Sequence, residues 1–460
     1  MLFPSFTFVV FFAPVFALTW LFHKKTILWK SVLVIASMVF YGWWSTPFLL
    51  LLLGNVFLNF CFGQAISKYE QRKKIIVRLA VAANLAVLAI FKYYKFFYVN
   101  FVEAFPNLAD MLPALELILP VGISFYTFQG ISYVVDIYRR EISARNFLDV
   151  MCFQMFFPQL VAGPIVRANH FIPQLDHVPY LTTPAFNRGL LLVLWGLVLK
   201  LVSANYLAQL IVDDVFTYPD AFDASQVLTA IYCYAVQIYC DFAGYSLMAI
   251  GIAAMLGFSL PENFKTPYFA TSLQDFWRRW HISLSFWLRD YLYVPLGGNR
   301  AGMNQTLVNL MIVMVLGGLW HGAGWNFIIW GALHGVGLSA NVLLRRGGIR
   351  VPKFLGWLIT FHYVCLGWVF FRASDLDVVR AIFDTLSFGD WSTMPTFGLM
   401  FLFAMPLMID WGVGSKFGRF IAPRILGGNH LWITAFALAI VVIILVIAPP
   451  TEAPFIYFQF

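Results

Sequence analysis

Runs of about 20 apolar residues recur from one end of this 460-residue chain to the other. That is the length an α-helix needs to cross the hydrocarbon core of a bilayer. In hydrocarbon the backbone must satisfy its own hydrogen bonds, and an uninterrupted helix does so. Hydrophobic residues make up 61% of the chain and charged residues 11%, against about 25% charged in soluble domains. The sequence therefore reads as an all-α polytopic membrane protein, and a soluble fold is excluded. A formal charge of +8 calls for no nucleic acid, because cytoplasmic loops of membrane proteins are rich in Lys and Arg.

The loop charges trace a path of about twelve transmembrane helices. Residues 1–25 carry their lysines, Lys24 and Lys25, after the apolar run and not before it; this predicts a retained first span, not a signal peptide. Further spans are expected near 31–46, 47–65, 79–98 and 117–137. The loops around Lys68–Arg78 and Arg139–Arg145 lie at the cytoplasmic face, and the acidic loop 99–116 lies outside. Residues 147–187, broken by Pro158, Pro164, Pro173 and Pro179, read as re-entrant or interfacial pieces. Helices near 189–212 and 226–258 follow. The charged, aromatic segment 261–305 belongs at the cytoplasmic face, and two arms at 306–320 and 325–344 form a hairpin. Spans near 354–371, 395–412 and 431–448 complete the path, with an acidic loop at Asp375–Asp390 and a basic one at Lys416–Arg424. The bundle reads as one integral membrane domain over 1–460, with both termini extracytoplasmic and the tail 449–460 outside.

The hairpin tip reads "LGGLWHGAGWNF", with Gly317, Gly318, Gly322 and Gly324 around His321. An ionisable residue inside a membrane protein is a functional hypothesis by default; the alternative is a histidine satisfied by helix packing. Imidazole titrates near 6.5 and can take a proton from an incoming hydroxyl and return it to a leaving group. No G-x-S-x-G elbow, Cys–His pair or metal-ligand spacing is present. Direct attack assisted by a general base is therefore favoured, with no metal and no tightly bound cofactor. The five cysteines lie in apolar segments without CxxC spacing and read as core. His281, in "FWRRWHISLSFWLRDYLY", is a second candidate. Arg278, Arg279, Arg289 and Arg300 beside it could hold phosphates, or could simply follow the positive-inside rule.

The segments "LPVGISFYTFQGISYVVDIYR" (119–139), "FFPQLVAGPIVR" (156–167), "YCDFAGYSLMAIGIAAMLGF" (239–258), "FWRRWHISLSFWLRDYLYVPLGGNR" (276–300) and "GGLWHGAGWNFIIWGALHG" (317–335) together resemble the bacterial membrane-bound O-acyltransferase family. Within it they resemble the branch that holds the membrane subunit of alginate O-acetylation systems and relatives acting on cellulose or peptidoglycan. The resemblance implies helices around a central funnel, with the family histidine at His321 and a second at His281. It also implies acetyl-CoA as cytoplasmic donor, and an extracytoplasmic acetyltransferase partner that places the acetyl group on a polymer. Leu247 stands where the family pattern has an acid, so no carboxylate role carries over to it, whereas Asp241 remains.

Two other functions compete. A transporter would be expected to show paired interrupted repeats, and the broken regions 147–187 and 306–344 do not resemble each other. A scaffold for an envelope complex is compatible with catalysis. The tail "APPTEAPFIYFQF" offers Tyr457 as an acyl relay on the outer face. A phenol of pKa about 10 lies closer to a thiol than an ordinary alcohol does, so its ester keeps transfer potential. Otherwise the tail's aromatic residues are an interfacial anchor.

Overall fold

A computed structural model describes residues 1–414, 430–449, 455 and 456. The regular secondary structure of the described residues is all helical, with no strand among them. Among the described residues, seven helices are long and apolar enough to cross a membrane: Thr46–Lys68, Glu70–Ala104, Thr183–Thr217, Ala224–Met255, Met303–His321, Trp325–Arg346 and Lys353–Arg372. Four shorter apolar helices, Phe6–Phe22, Thr26–Gly42, Phe397–Gly412 and Thr434–Ile447, lie where the sequence places further spans. Many of these helices turn large apolar side chains outward, among them Leu21, Ile35, Leu50, Phe57, Ile75 and Leu79. Such a surface would be an aggregation hazard in water and is what a lipid-facing helix presents.

The helices pack as two compact units. The first comprises Met1–Ala185 and Ile252–Pro261. Its helices are α1 (Phe6–Phe22), α2 (Thr26–Gly42), α3 (Thr46–Lys68), α4 (Lys73–Ala104) and α5 (Ile123–Tyr138), and a buried amide network links α3 to α4. Asn55 donates to Asn84 (3.1 Å) and Asn84 to Asn59 (2.8 Å), and Gln154 joins them through Asn55. The proline-broken region expected at 147–187 is indeed a series of short pieces, of which α6 (Phe147–Met155) is the longest before residue 183.

The second unit comprises Phe186–Gly251 and Glu262–Phe460 and carries His281, His321 and the four candidate arginines, Arg278, Arg279, Arg289 and Arg300. Helix α7 (Thr183–Thr217) contains two π-helical stretches, Val198–Ala204 and Ala208–Val212. Helix α8 (Ala224–Met255) is the structural axis: 83% of its apolar stretch is buried, against 22% for Glu70–Ala104. Then come α9 (Leu273–Trp277), α10 (Ile282–Leu288), α11 (Met303–His321), α12 (Trp325–Arg346) and α13 (Lys353–Arg372). The acidic loop expected after α13 holds a helix, α14 (Leu376–Phe388). Asp375 caps it by accepting from the N–H groups of Asp377 and Val378, and Val379 and Ile382 bury its apolar face. Two more helices, α15 (Phe397–Gly414) and α16 (His430–Ile447), complete the unit.

Candidate active site

The expected hairpin is present as α11 and α12, and glycine makes it. A Cβ added at Gly318 would lie 2.2 Å from the carbonyl oxygen of Phe327, and one at Gly331 would lie 2.4 Å from that of Met314. Only glycine lets the two backbones approach this closely. The contact fixes His321, the last residue of α11, in the interior at 4% exposure. Trp320, Trp330 and Phe371 of α13 stand edge-on to its ring, with centroids 5.0, 5.0 and 5.2 Å away.

His281 is brought to the same place from a different element. It links α9 to α10 in the left-handed region, with φ 42° and ψ 54°. For a residue with a Cβ this costs roughly 1–2 kcal/mol, so neighbouring contacts must hold it. Asn263 supplies them. Its carbonyl accepts the Ile282 N–H (2.9 Å), and its side-chain Oδ1 accepts from the Ser283 N–H (3.2 Å) and Ser283 Oγ (2.8 Å). The same Oδ1 lies 3.1 Å from His281 Nδ1. Because the Ser283 N–H can only donate, the atom it meets is the amide oxygen of Asn263, which leaves Nδ2 to donate to Ser246 Oγ (3.0 Å) and assigns the proton of His281 to Nδ1, facing Oδ1. The ring's lone pair is then on Nε2. His281 is fully buried, and its ring centroid is 6.4 Å from that of His321.

The predicted arginines divide. Arg278 and Arg289 line a cavity of about 660 Å³, together with Trp277, Tyr293, Arg345 and Arg346. Arg289 also pairs with Asp290 (2.6 Å) and lies over the Phe286 ring. Arg279 turns elsewhere, to Asp275 (2.9 Å) and Thr266 (3.0 Å), and Arg300 is exposed and does not line the cavity. Trp277 on the cavity wall packs against Trp330 (5.9 Å), which in turn touches His321. Two tryptophans, Trp277 and then Trp330, therefore stand between the cavity and the histidine along this path. His334, a packing residue by sequence, accepts from Trp277 Nε1 (3.2 Å) and is enclosed by Trp330. Tyr457 lies outside the described residues.

Sequence reasoning missed four residues. Asn263 stands in an unremarkable "PENF", although its place 18 residues before His281 is fixed by the chain reversal it closes. Arg345 and Arg346 read only as loop charges. Lys200 reads only as an interruption of an apolar helix.

An all-helical membrane core with two buried imidazoles near an arginine-lined cavity marks a class: a polytopic membrane protein with titratable groups in its interior. The model of the membrane-bound O-acyltransferase family matches residues 35–374. The chain is 42% identical over 400 residues (85% of this chain, 76% of the relative) to the probable alginate O-acetylase AlgI of Pseudomonas aeruginosa. It is 38% identical over 389 residues (77% and 73%) to the peptidoglycan O-acetyltransferase of Helicobacter pylori. A more distant relative is the teichoic acid D-alanyltransferase of Streptococcus thermophilus, 28% identical over 281 residues (55% and 68%). The chain belongs to the membrane-bound O-acyltransferase family: it is a multi-pass membrane acyltransferase.

Proposed function

We propose that this protein takes acetyl from acetyl-CoA at the cytoplasmic face and passes it across the inner membrane for O-acetylation of an extracytoplasmic polysaccharide. The observation that carries this is the pair of buried imidazoles 6.4 Å apart, joined to an arginine-lined cavity through Trp277 and Trp330. Arg278, Arg289, Arg345 and Arg346 attract the phosphates of the donor, and its thioester reaches inward past Trp277. An acceptor hydroxyl attacks the thioester carbonyl carbon while His321 takes its proton. The C–S bond breaks, and the imidazolium returns the proton to the departing thiolate. His281, with its lone pair on Nε2, accepts a hydrogen bond that sets the direction of the incoming hydroxyl.

On this proposal Tyr457 is the first acceptor, both termini are extracytoplasmic, and an extracytoplasmic acetyltransferase partner moves the acetyl group onto the polymer. Alginate-like exopolysaccharide, cellulose and peptidoglycan are the acceptor classes, and the relatives named above act on the first and last of these. Purified protein in nanodiscs should release thiol from acetyl-CoA and carry acetyl on Tyr457 by mass spectrometry. Tyr457→Phe should abolish polymer acetylation in cells. A Tyr457→Phe protein that acetylates polymer normally ends the relay; a wild-type protein active only with a carrier-protein thioester reassigns the donor.

A further inference from the structure

Between α7 and α8, inside the second unit, lies a buried ion pair that the acyl-transfer chemistry above does not use. Lys200 Nζ and Asp241 Oδ1 are 2.7 Å apart, with side chains only 5% and 2% exposed. The two helices are pressed together at glycines one turn away. A Cβ on Gly196 would lie 2.5 Å from the Gly244 carbonyl oxygen, and one on Gly244 would lie 2.7 Å from that of Gly196. Lys200 sits within the π-helical stretch Val198–Ala204, and π-bulges concentrate at functional positions. Replacing a buried pair by apolar residues is often neutral or stabilising, so helix packing alone gives little reason for one.

The second carboxylate oxygen supplies a reason. Oδ2 of Asp241 accepts the backbone N–H of Ile456 at 2.8 Å, from a segment 215 positions further along the chain. The neighbouring Phe455 is 3% exposed and Ile456 2%. The Phe455 ring lies 4.8 Å from Tyr245 and 6.4 Å from Phe242, the first of them one turn beyond Asp241. Phe242 in turn stands edge-on to His281 at 4.7 Å. A second tie lies upstream, where Tyr206 of α7 donates to the Ile447 carbonyl.

We propose that Lys200 and Asp241 form a docking clamp for the 455–456 segment. Lys200 holds the carboxylate, Asp241 captures the Ile456 amide, and the segment is positioned one side-chain layer from His281. Both are positioning residues, and the inference rests on the acyl-transfer assignment of the histidine pair.

The test uses the full-length protein in nanodiscs, read by hydrogen exchange and by thiol release from acetyl-CoA. Lys200→Met/Asp241→Leu removes both charges and the acceptor. Lys200→Met/Asp241→Asn removes the charges but keeps an acceptor. Ile456→Pro removes only the donated N–H and leaves the ion pair intact. The Met/Leu protein should exchange the peptide containing Ile456 at least about tenfold faster, at unchanged melting temperature, and the Met/Asn protein should restore slow exchange. The kcat for thiol release should fall at least about tenfold in Met/Leu and in Ile456→Pro, with KM for acetyl-CoA unchanged, and recover in Met/Asn. Wild-type exchange in Met/Leu would overturn the clamp, as would full turnover in Met/Leu or in Ile456→Pro. Failure of the histidine assignment is distinguishable, because it appears as an active His321→Ala protein, whereas exchange at Ile456 does not depend on turnover.

Discussion

Asn263→Ala should slow acyl transfer by one to two orders of magnitude without touching either histidine. In the native site Oδ1 of Asn263 accepts from His281 Nδ1 and from both the N–H and the Oγ of Ser283. Alanine removes that acceptor at a position only 1% exposed. The serine hydroxyl can rotate to another acceptor; the ring N–H cannot. Leaving a buried donor unsatisfied costs about 1–3 kcal/mol, so His281 is driven toward the other tautomer, with its proton on Nε2. At about 1.4 kcal/mol per decade, the fraction in the native tautomer falls roughly 5- to 150-fold, and turnover falls with it. Ser283→Ala removes only the hydroxyl contact and should stay within about threefold of wild type. Asn263→Asp keeps an acceptor for Nδ1–H and should retain more activity than Asn263→Ala. The assay is thiol release from acetyl-CoA, with the melting temperature measured in parallel. A folded Asn263→Ala protein within twofold of wild type would refute the role given to the His281 tautomer.

Three further outcomes follow from the same geometry. Gly331→Leu places a side chain against the Met314 carbonyl, 2.4 Å from its Cβ; overpacking of this kind costs about 1–3 kcal/mol, so the melting temperature should drop and activity should fall as His321 shifts. Replacing Arg278, Arg289, Arg345 and Arg346 by Gln, all four being exposed at the cavity, should raise KM for acetyl-CoA by about three- to fivefold per residue. High salt should reduce the difference from wild type. Asp223, which precedes α8, accepts from Ser225 and Thr393 and from the Gln226 N–H, and these bonds hold its carboxyl down at about 2. Its contribution is present above the ordinary carboxylate pKa and is lost as pH falls through the folded value. The protection factors of amides in the 390–394 segment, taken relative to their intrinsic exchange rates at each pH, should therefore be steady down to about pH 4 and fall toward pH 2, and Asp223→Asn should remove that fall.

Much of this site was legible in the sequence. The arms predicted at 306–320 and 325–344 correspond to Met303–His321 and Trp325–Arg346, because apolar runs and flanking arginines mark helix ends well. The glycines around His321 signalled close backbone approach, and Gly318 realises it. What escaped were contacts between residues distant in the chain. Nothing local to Lys200 announces that a π-helical turn faces it toward Asp241. The arginines near His281 could be recognised as a cluster, but not which of them would turn to acids: Arg279 chose Asp275 one turn away, while Arg345 and Arg346 arrived at the cavity from α12. The acidic stretch after α13 read as a loop because its charges hid a two-residue apolar face, Val379 and Ile382.

The central claim is that His321 carries out proton transfer in acyl exchange. Acetylation of extracytoplasmic polymer in cells expressing His321→Ala, at protein levels matched to wild type, tests it most directly. Loss of a positioned general base lowers turnover by about 10²- to 10⁴-fold, so polymer acetylation should become undetectable while the protein still inserts and folds. Polymer acetylated to the wild-type level in those cells would contradict it.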